Sequence, residues 1–307
     1  MPPIDPQAVH LLTQINLQDA LTSFGLEKVK FGRSLLEWPL LGSAEKFAHQ
    51  VLEFDRDVAN CGLREGSSLF LQHLSISLVT QGAENIPSAG PVLILSNHPG
   101  MADTLALFAG LPRSDVRIVA AERPFLKALK AVEPYLIYVP DQPEARLGVL
   151  RSTAAHLRAN GAILTFPAGE IEPDPAVLEG AVESLASWSS SIGLFVRLMP
   201  SAQIVPAIVS GVLAPQATFH PLTWLRRRPK DRQRLGATLQ LIAMILTPTL
   251  WPVTIQVRFA PAIPAADLAC LRDPDLITRR FTSLIRPFWQ ATVRSDFQEH
   301  WIVKRKT

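Results

Sequence analysis

The period of the hydrophobic pattern changes along the chain. In the first 75 or so residues, apolar positions recur at helical spacing. Leu11, Leu12, Ile15, Leu17 and Leu21 form one such series, and Phe47, Val51, Phe54 and Val58 another. Beyond the turn cluster Glu84–Pro91 the pattern becomes short, continuous apolar runs. They fall at 92–95, 117–121, 135–139, 162–166 and 204–209, with an alternating run at 253–259. Continuous runs of this length read as strands buried on both faces. Between them lie helical patterns. The clearest is Leu147, Leu150, Ala154 and Leu157, which Asn160-Gly161 terminates. Strands alternating with helices predict an α/β fold, with a mostly parallel central sheet sandwiched by helices and an N-terminal helical extension. The expected division is 1–79 for the helical region and 80–307 for one α/β domain.

Composition narrows the function classes. A chain of 307 residues with 48% hydrophobic and 19% charged residues is neither disordered nor low-complexity. Two distant cysteines, Cys61 and Cys270, exclude a disulfide framework and a cysteine-based zinc site. The first 25 residues carry no Lys or Arg, so the basic region of a signal peptide is missing and a cytoplasmic location is expected. From Leu235 to Val257 no residue is charged, long enough to span a bilayer. Pro248 and Pro252 interrupt it, and Gln240 dilutes it. The favoured parse is therefore a helix of about a dozen residues, a proline-rich turn and a strand.

The net charge of +3 conceals a cluster. Arg226–Arg234 holds six basic residues and one acid, directly before that apolar helix. Basic residues beside an apolar helix suit the surface of an anionic membrane, approached from the cytoplasmic face. Nucleic-acid binding ranks lower, because the flanks lack interleaved aromatics, and a solvated loop beside a core helix is the plainer alternative. The tail Lys304-Arg305-Lys306 is a possible addition to the same basic face.

Candidate chemistry sits where strands end. The run Ser96-Asn97-His98-Pro99-Gly100-Met101-Ala102-Asp103 follows the first buried strand. An aspartate this close after a histidine can double back across the turn and accept its Nδ1 proton, leaving Nε2 as a base. The plainer reading makes Asp103 a helix N-cap and His98 a turn residue. The run Phe166-Pro167-Ala168-Gly169-Glu170-Ile171-Glu172 follows the fourth strand. Its Pro-x-Gly turn can aim backbone N–H groups at an oxyanion. Glu170 and Glu172 are acid–base candidates or solvated loop carboxylates.

Together, Asn97-His98-x4-Asp103, Phe166-Pro167-x-Gly169 and Ile204-Val205-Pro206-Ala207-Ile208 resemble the glycerolipid acyltransferase family, which includes lysophosphatidic acid acyltransferases and their glycerol-3-phosphate relatives. The leader Gly82–Pro87, the segment Gly90–His98 and the strand Val253–Ile263 resemble it too. The likeness covers roughly residues 80 to 290. It implies a one-step transfer in which His98, oriented by Asp103, deprotonates an acceptor hydroxyl that attacks acyl-CoA or acyl-carrier protein. It implies a lyso-lipid acceptor, oxyanion donors near Pro167 and Gly169, and no metal or cofactor. Water as acceptor would make a thioesterase, and a silent lipid-binding protein is the non-enzymatic alternative. Several positions depart from the family. Ala168, Glu170 and Ile171 stand where it has Glu, Thr and Arg, and Tyr138-Val139-Pro140-Asp141 lacks its phosphate-binding Arg. Arginine suits phosphate and carboxylates repel it, so a different acceptor head group is expected, with Glu170 or Glu172 against it. Arg123, Lys127 and Lys130, on one face of a predicted helix, are candidate replacements.

Overall fold

A computed structural model describes residues 4–29, 33–142 and 146–304. Elements in chain order are α1 (Pro6–Phe24), α2 (Arg33–His73), β1 (Ser77–Gln81), β2 (Val92–Ser96), α3 (Met101–Gly110), β3 (Val116–Ala121) and α4 (Pro124–Lys127). Then come β4 (Leu136–Val139), α5 (Arg146–Arg158), β5 (Ala162–Thr165), α6 (Ser191–Leu198), β6 (Gln203–Ser210), α7 (Pro215–Thr218) and α8 (Pro229–Leu246). The chain closes with β7 (Thr254–Phe259), β8 (Ile263–Pro264), α9 (Ala266–Ala269) and α10 (Pro274–Lys304). All six expected strands form. The short edge strands β1 and β8 were not foreseen, because five and two residues carry too little periodicity.

The chain forms two compact units. The first gathers Met1–Ser77, Arg123–Glu133 and Leu213–Val253; the second holds Leu78–Glu122, Pro134–Val212 and Thr254–Thr307. The expected boundary between 79 and 80 therefore marks only where the sheet-bearing unit begins. Two later segments leave that unit and pack with the N-terminal helices.

In the helical unit, Leu17 and Leu21 of α1 pack against Ala44 of α2. Leu12, Leu17 and Leu21 are buried, whereas Leu11 is exposed. Phe47, Val51, Phe54 and Val58 are all buried, as their spacing requires. The Asp55 carboxylate accepts the N–H groups of Ala131 and Val132 at 2.9 and 3.1 Å, which ties the inserted segment to α2. The apolar stretch after Arg234 is not a span. Among the described residues, no helix is long and apolar enough to cross a membrane. Helix α8 begins at Pro229, earlier than expected, so the basic run supplies its first turns. It buries Leu235, Ala243, Met244 and Ile245, and Gln240 Oε1 accepts the Ala214 N–H at 2.6 Å.

In the other unit the strand order is β1-β7-β6-β2-β5-β3-β4, with β8 beside β6. Strands β6, β2, β5, β3 and β4 are mutually parallel; β7 and β8 run antiparallel to β6. Strand β2 is buried along its whole length. On one face, Leu93, Leu95, Ile163, Ile204 and Ile208 cluster with Phe195 of α6, Phe281 and Trp289 of α10, and Trp188 from the turn before α6. The register sets Leu95 beside Thr165 of β5 and Pro206 of β6, so β2 and β5 finish together while β6 runs on three residues past the partner of Ser96. From β2 the chain crosses to β3 and β4 on one side, and from β5 it crosses to β6 on the other. Such a reversal opens a crevice at the carboxyl ends of the strands.

Candidate active site

The site begins one residue past β2. Asn97, almost fully buried, clamps the neighbouring strand. Its Nδ2 donates to the Val209 carbonyl at 2.9 Å, and its Oδ1 accepts the Val209 N–H at 2.8 Å. The side chain thus extends the β2–β6 ladder by two bonds where the backbone turns away. This fixes the position from which His98 departs.

His98 Nδ1 lies 2.8 Å from Asp103 Oδ2. The same oxygen accepts the Gly100 N–H at 3.0 Å, and Asp103 Oδ1 accepts the Thr104 hydroxyl at 3.1 Å. Asp103 doubles back across the turn to the imidazole, and its place in the helix differs from the expected one. It is the third residue of α3 rather than its N-cap, and it ties down the N-cap N–H while orienting the imidazole. The Asp103 side chain is fully buried, whereas that of His98 is 27% exposed. A buried carboxylate beside this half-buried imidazole favours the tautomer with its proton on Nδ1.

The second block packs on the first. The Phe166 ring stacks on the His98 imidazole, with centroids 4.5 Å apart. Glu172 turns inward. Its N–H donates to the His98 carbonyl at 2.8 Å, and its Oε2 accepts the His98 N–H at 3.1 Å. Glu172 Oε1 accepts the Ser184 hydroxyl at 2.8 Å and the Trp188 indole N–H at 3.0 Å. With 2% exposure, Glu172 is a support of the His98 loop and not a head-group contact.

The electrostatics follow from this packing. Burial pulls the His98 pKa down, but the Asp103 charge, the Asp103 hydrogen bond and the Glu172 charge outweigh it and leave the pKa raised. Burial pushes the Glu172 carboxyl up, against the lowering effect of its bonds to Trp188, Ser184 and His98.

The other expected residues fall out as follows. Gly169 takes a left-handed φ of +66°, and its N–H donates to the Phe166 carbonyl at 3.0 Å. That bond closes the turn, so the Gly169 N–H is not an available oxyanion donor. Pro167 is buried, with its carbonyl accepting the Ser189 N–H at 3.0 Å. Glu170 is exposed. Arg123, Lys127 and Lys130 are also exposed, but they belong to the helical unit, with Arg123 at the N-cap of the one-turn helix α4. Sequence reasoning missed the Asn97 clamp and the Ser184–Trp188 pair behind Glu172. A buried amide just past a strand gives no periodic signal, and the other pair is set by tertiary packing alone.

Residues 77–210, from β1 through β6, match the family model described as Acyltransferase. Among solved structures, the chain is similar to the 1-acyl-sn-glycerophosphate (LPA) acyltransferase PlsC from Thermotoga maritima. The identity is 15%, over 94% of this chain and 97% of that one, with a TM-score of 0.41. No curated protein matches the chain.

Proposed function

We propose, for a chain whose residues 77–210 match the family model described as Acyltransferase, that it moves a fatty acyl group from acyl-CoA or acyl-carrier protein to the hydroxyl of a lyso-lipid. The observation that carries this reading is the 2.8 Å contact between His98 Nδ1 and a fully buried Asp103, at the carboxyl end of the central strand.

The chemistry needs no nucleophile from the protein. His98 Nε2 takes the proton of the acceptor hydroxyl as its oxygen attacks the thioester carbonyl. The imidazolium that forms is stabilised by Asp103, with the Glu172 charge adding to the same field. The tetrahedral intermediate then collapses, the carbon–sulfur bond breaks, and the leaving thiolate takes up a proton from His98. Product ester and free thiol leave, and the enzyme returns to its starting state.

The acceptor is read as a lyso-lipid whose head group is not gripped by arginine forks. Ile171 stands where the family places an arginine, and the exposed Glu170 beside it disfavours a phosphate. A labelled acyl donor, offered as CoA and carrier-protein thioesters against a panel of acceptors, tests the reading. Turnover on a lyso-lipid lacking a phosphomonoester is expected. Robust turnover on lysophosphatidic acid overturns the head-group assignment. Full activity in His98→Ala overturns the base, and hydrolysis in excess of transfer makes the protein a thioesterase.

A further inference from the structure

The helical unit carries an apolar surface that its own core does not use. Over seven residues, Phe219, Leu222, Trp224 and Leu225 are 53, 41, 71 and 68% exposed. Single exposed apolar side chains are ordinary, but three on one turn with a fourth two residues before it are not. The turn is rigid. Pro221–Leu225 forms one 3-10 turn whose Thr223 is buried, with its N–H and hydroxyl both donating to the His220 carbonyl at 2.8 and 2.7 Å. The His220 Nδ1 accepts the Leu222 N–H at 3.3 Å. The fold therefore holds Trp224 and Leu225 outward on an anchored platform.

The charges beside it are placed for something other than the helix. Of the basic run, Arg226 pairs with Asp231 at 3.4 Å and Arg234 lies 3.7 Å from Asp19. Arg227 and Arg228 are exposed directly after the apolar turn, and Lys230 and Arg232 lie in the first turn of α8. A helix N-terminus disfavours cations, so these positions gain nothing from the dipole. Helix α8 turns Leu235, Ala243, Met244 and Ile245 inward, with Leu239, Leu241 and Ile242 half-buried, so much of the helix expected to enter a membrane is engaged in packing.

We propose that the turn Pro221–Leu225 with Arg227 and Arg228 is a docking surface for an anionic lipid bilayer. Trp224 and Leu225 enter the interface, and the two arginines meet the head groups. An exposed tryptophan with a polar ring nitrogen suits the head-group level, and juxtaposed arginines supply the complementary charge. The proposal rests on the lipid-acyltransferase reading for the need to meet a bilayer, and it names where that meeting occurs.

Flotation of the full chain with vesicles of phosphatidylcholine alone and of phosphatidylcholine with phosphatidylglycerol tests it without any substrate. Binding to the anionic vesicles only, weakened by salt, is expected. Trp224→Ala with Leu225→Ala lowers the partition coefficient by about tenfold or more, and so does Arg227→Glu with Arg228→Glu. Both double variants keep the parent melting temperature, because the four side chains are exposed. Unchanged partition in both variants overturns the proposal, as does binding of an oligonucleotide in place of vesicles. Intact vesicle binding by a protein inactive on every acceptor overturns the enzymatic reading and leaves the docking surface standing.

Discussion

Glu172 and His98 hold each other by a reciprocal pair of bonds. The Glu172 backbone N–H donates to the His98 carbonyl at 2.8 Å, and the Glu172 carboxylate accepts the His98 backbone N–H at 3.1 Å, across 74 positions of sequence. The loop after β5 is thereby fastened to the loop after β2. The carboxylate that does it also adds its charge to the environment of the imidazole.

Glu172→Gln removes that charge while keeping an acceptor for His98. The expected result is a modest fall in kcat and an acidic limb of the pH–rate profile moved to lower pH. Glu172→Ala is expected to be worse in both stability and activity. It strands the Trp188 indole N–H and the His98 N–H in a buried site, at about 1–3 kcal/mol each for groups that find no water, while the Ser184 hydroxyl keeps the Ala181 carbonyl. Thermal melts and kinetics on a soluble acyl thioester separate the two effects. A profile unmoved in the glutamine variant argues against a role for the charge.

The pH dependence of the parent enzyme has a definite sign. In the proposed reaction His98 is the base and must be neutral, and its pKa is raised despite burial. Activity is therefore expected to rise with pH through a limb above the ordinary histidine value. By linkage, the stability contributed by the charged imidazole is fully present below its unfolded-state pKa and is lost as pH rises through the folded one. Titration of the His98 ring by NMR checks the direction, and a limb at or below the ordinary value refutes it.

Asp103→Asn keeps the size of the side chain and changes what it offers Nδ1. The imidazole loses its orienting acceptor and the charge that stabilises imidazolium. A drop of about 10²–10⁴-fold in kcat is expected, with little change in KM. The Gly100 cap bond is also weakened, so a melting curve should accompany the kinetics.

Asn97→Ala removes both bonds to Val209 in a buried position. About 2–4 kcal/mol of stability is expected to go, for two stranded backbone groups. Because the clamp sits one residue before His98, kcat should fall as well. Equilibrium unfolding in urea, read against the parent, gives the first number.

Gly193→Ala tests the packing of the sheet-bearing unit away from the site. A Cβ on Gly193 would lie 2.2 Å from the Pro274 carbonyl oxygen and 2.5 Å from its Cα, both backbone atoms at the start of α10. Overpacking against backbone is expected to remove about 1–3 kcal/mol or more. Residual activity at low temperature should stay near the parent value, as assayed below the variant's melting point.

The sequence by itself determined what spacing encodes. Continuous apolar runs identified β2, β5 and β6, because a strand buried on both faces has no polar alternation to hide it. The His98–Asp103 pair was legible for a similar reason: both residues lie within one turn, where five positions of chain fix the distance. Tertiary structure alone decided the rest. Glu172 read as a loop carboxylate open to a head group, and it points inward only because β5 pairs with β2 and brings the two loops together. Gly169 read as an oxyanion donor, until the turn used its N–H. The apolar stretch after Arg234 had the composition of a membrane-seeking helix, and packing within the helical unit buried Leu235, Ala243, Met244 and Ile245 of it. That left the outward role to Trp224 and Leu225 on the turn before it. In each case, local pattern fixed which groups were apolar or charged, and only the order of strands and the docking of helices fixed which way they faced.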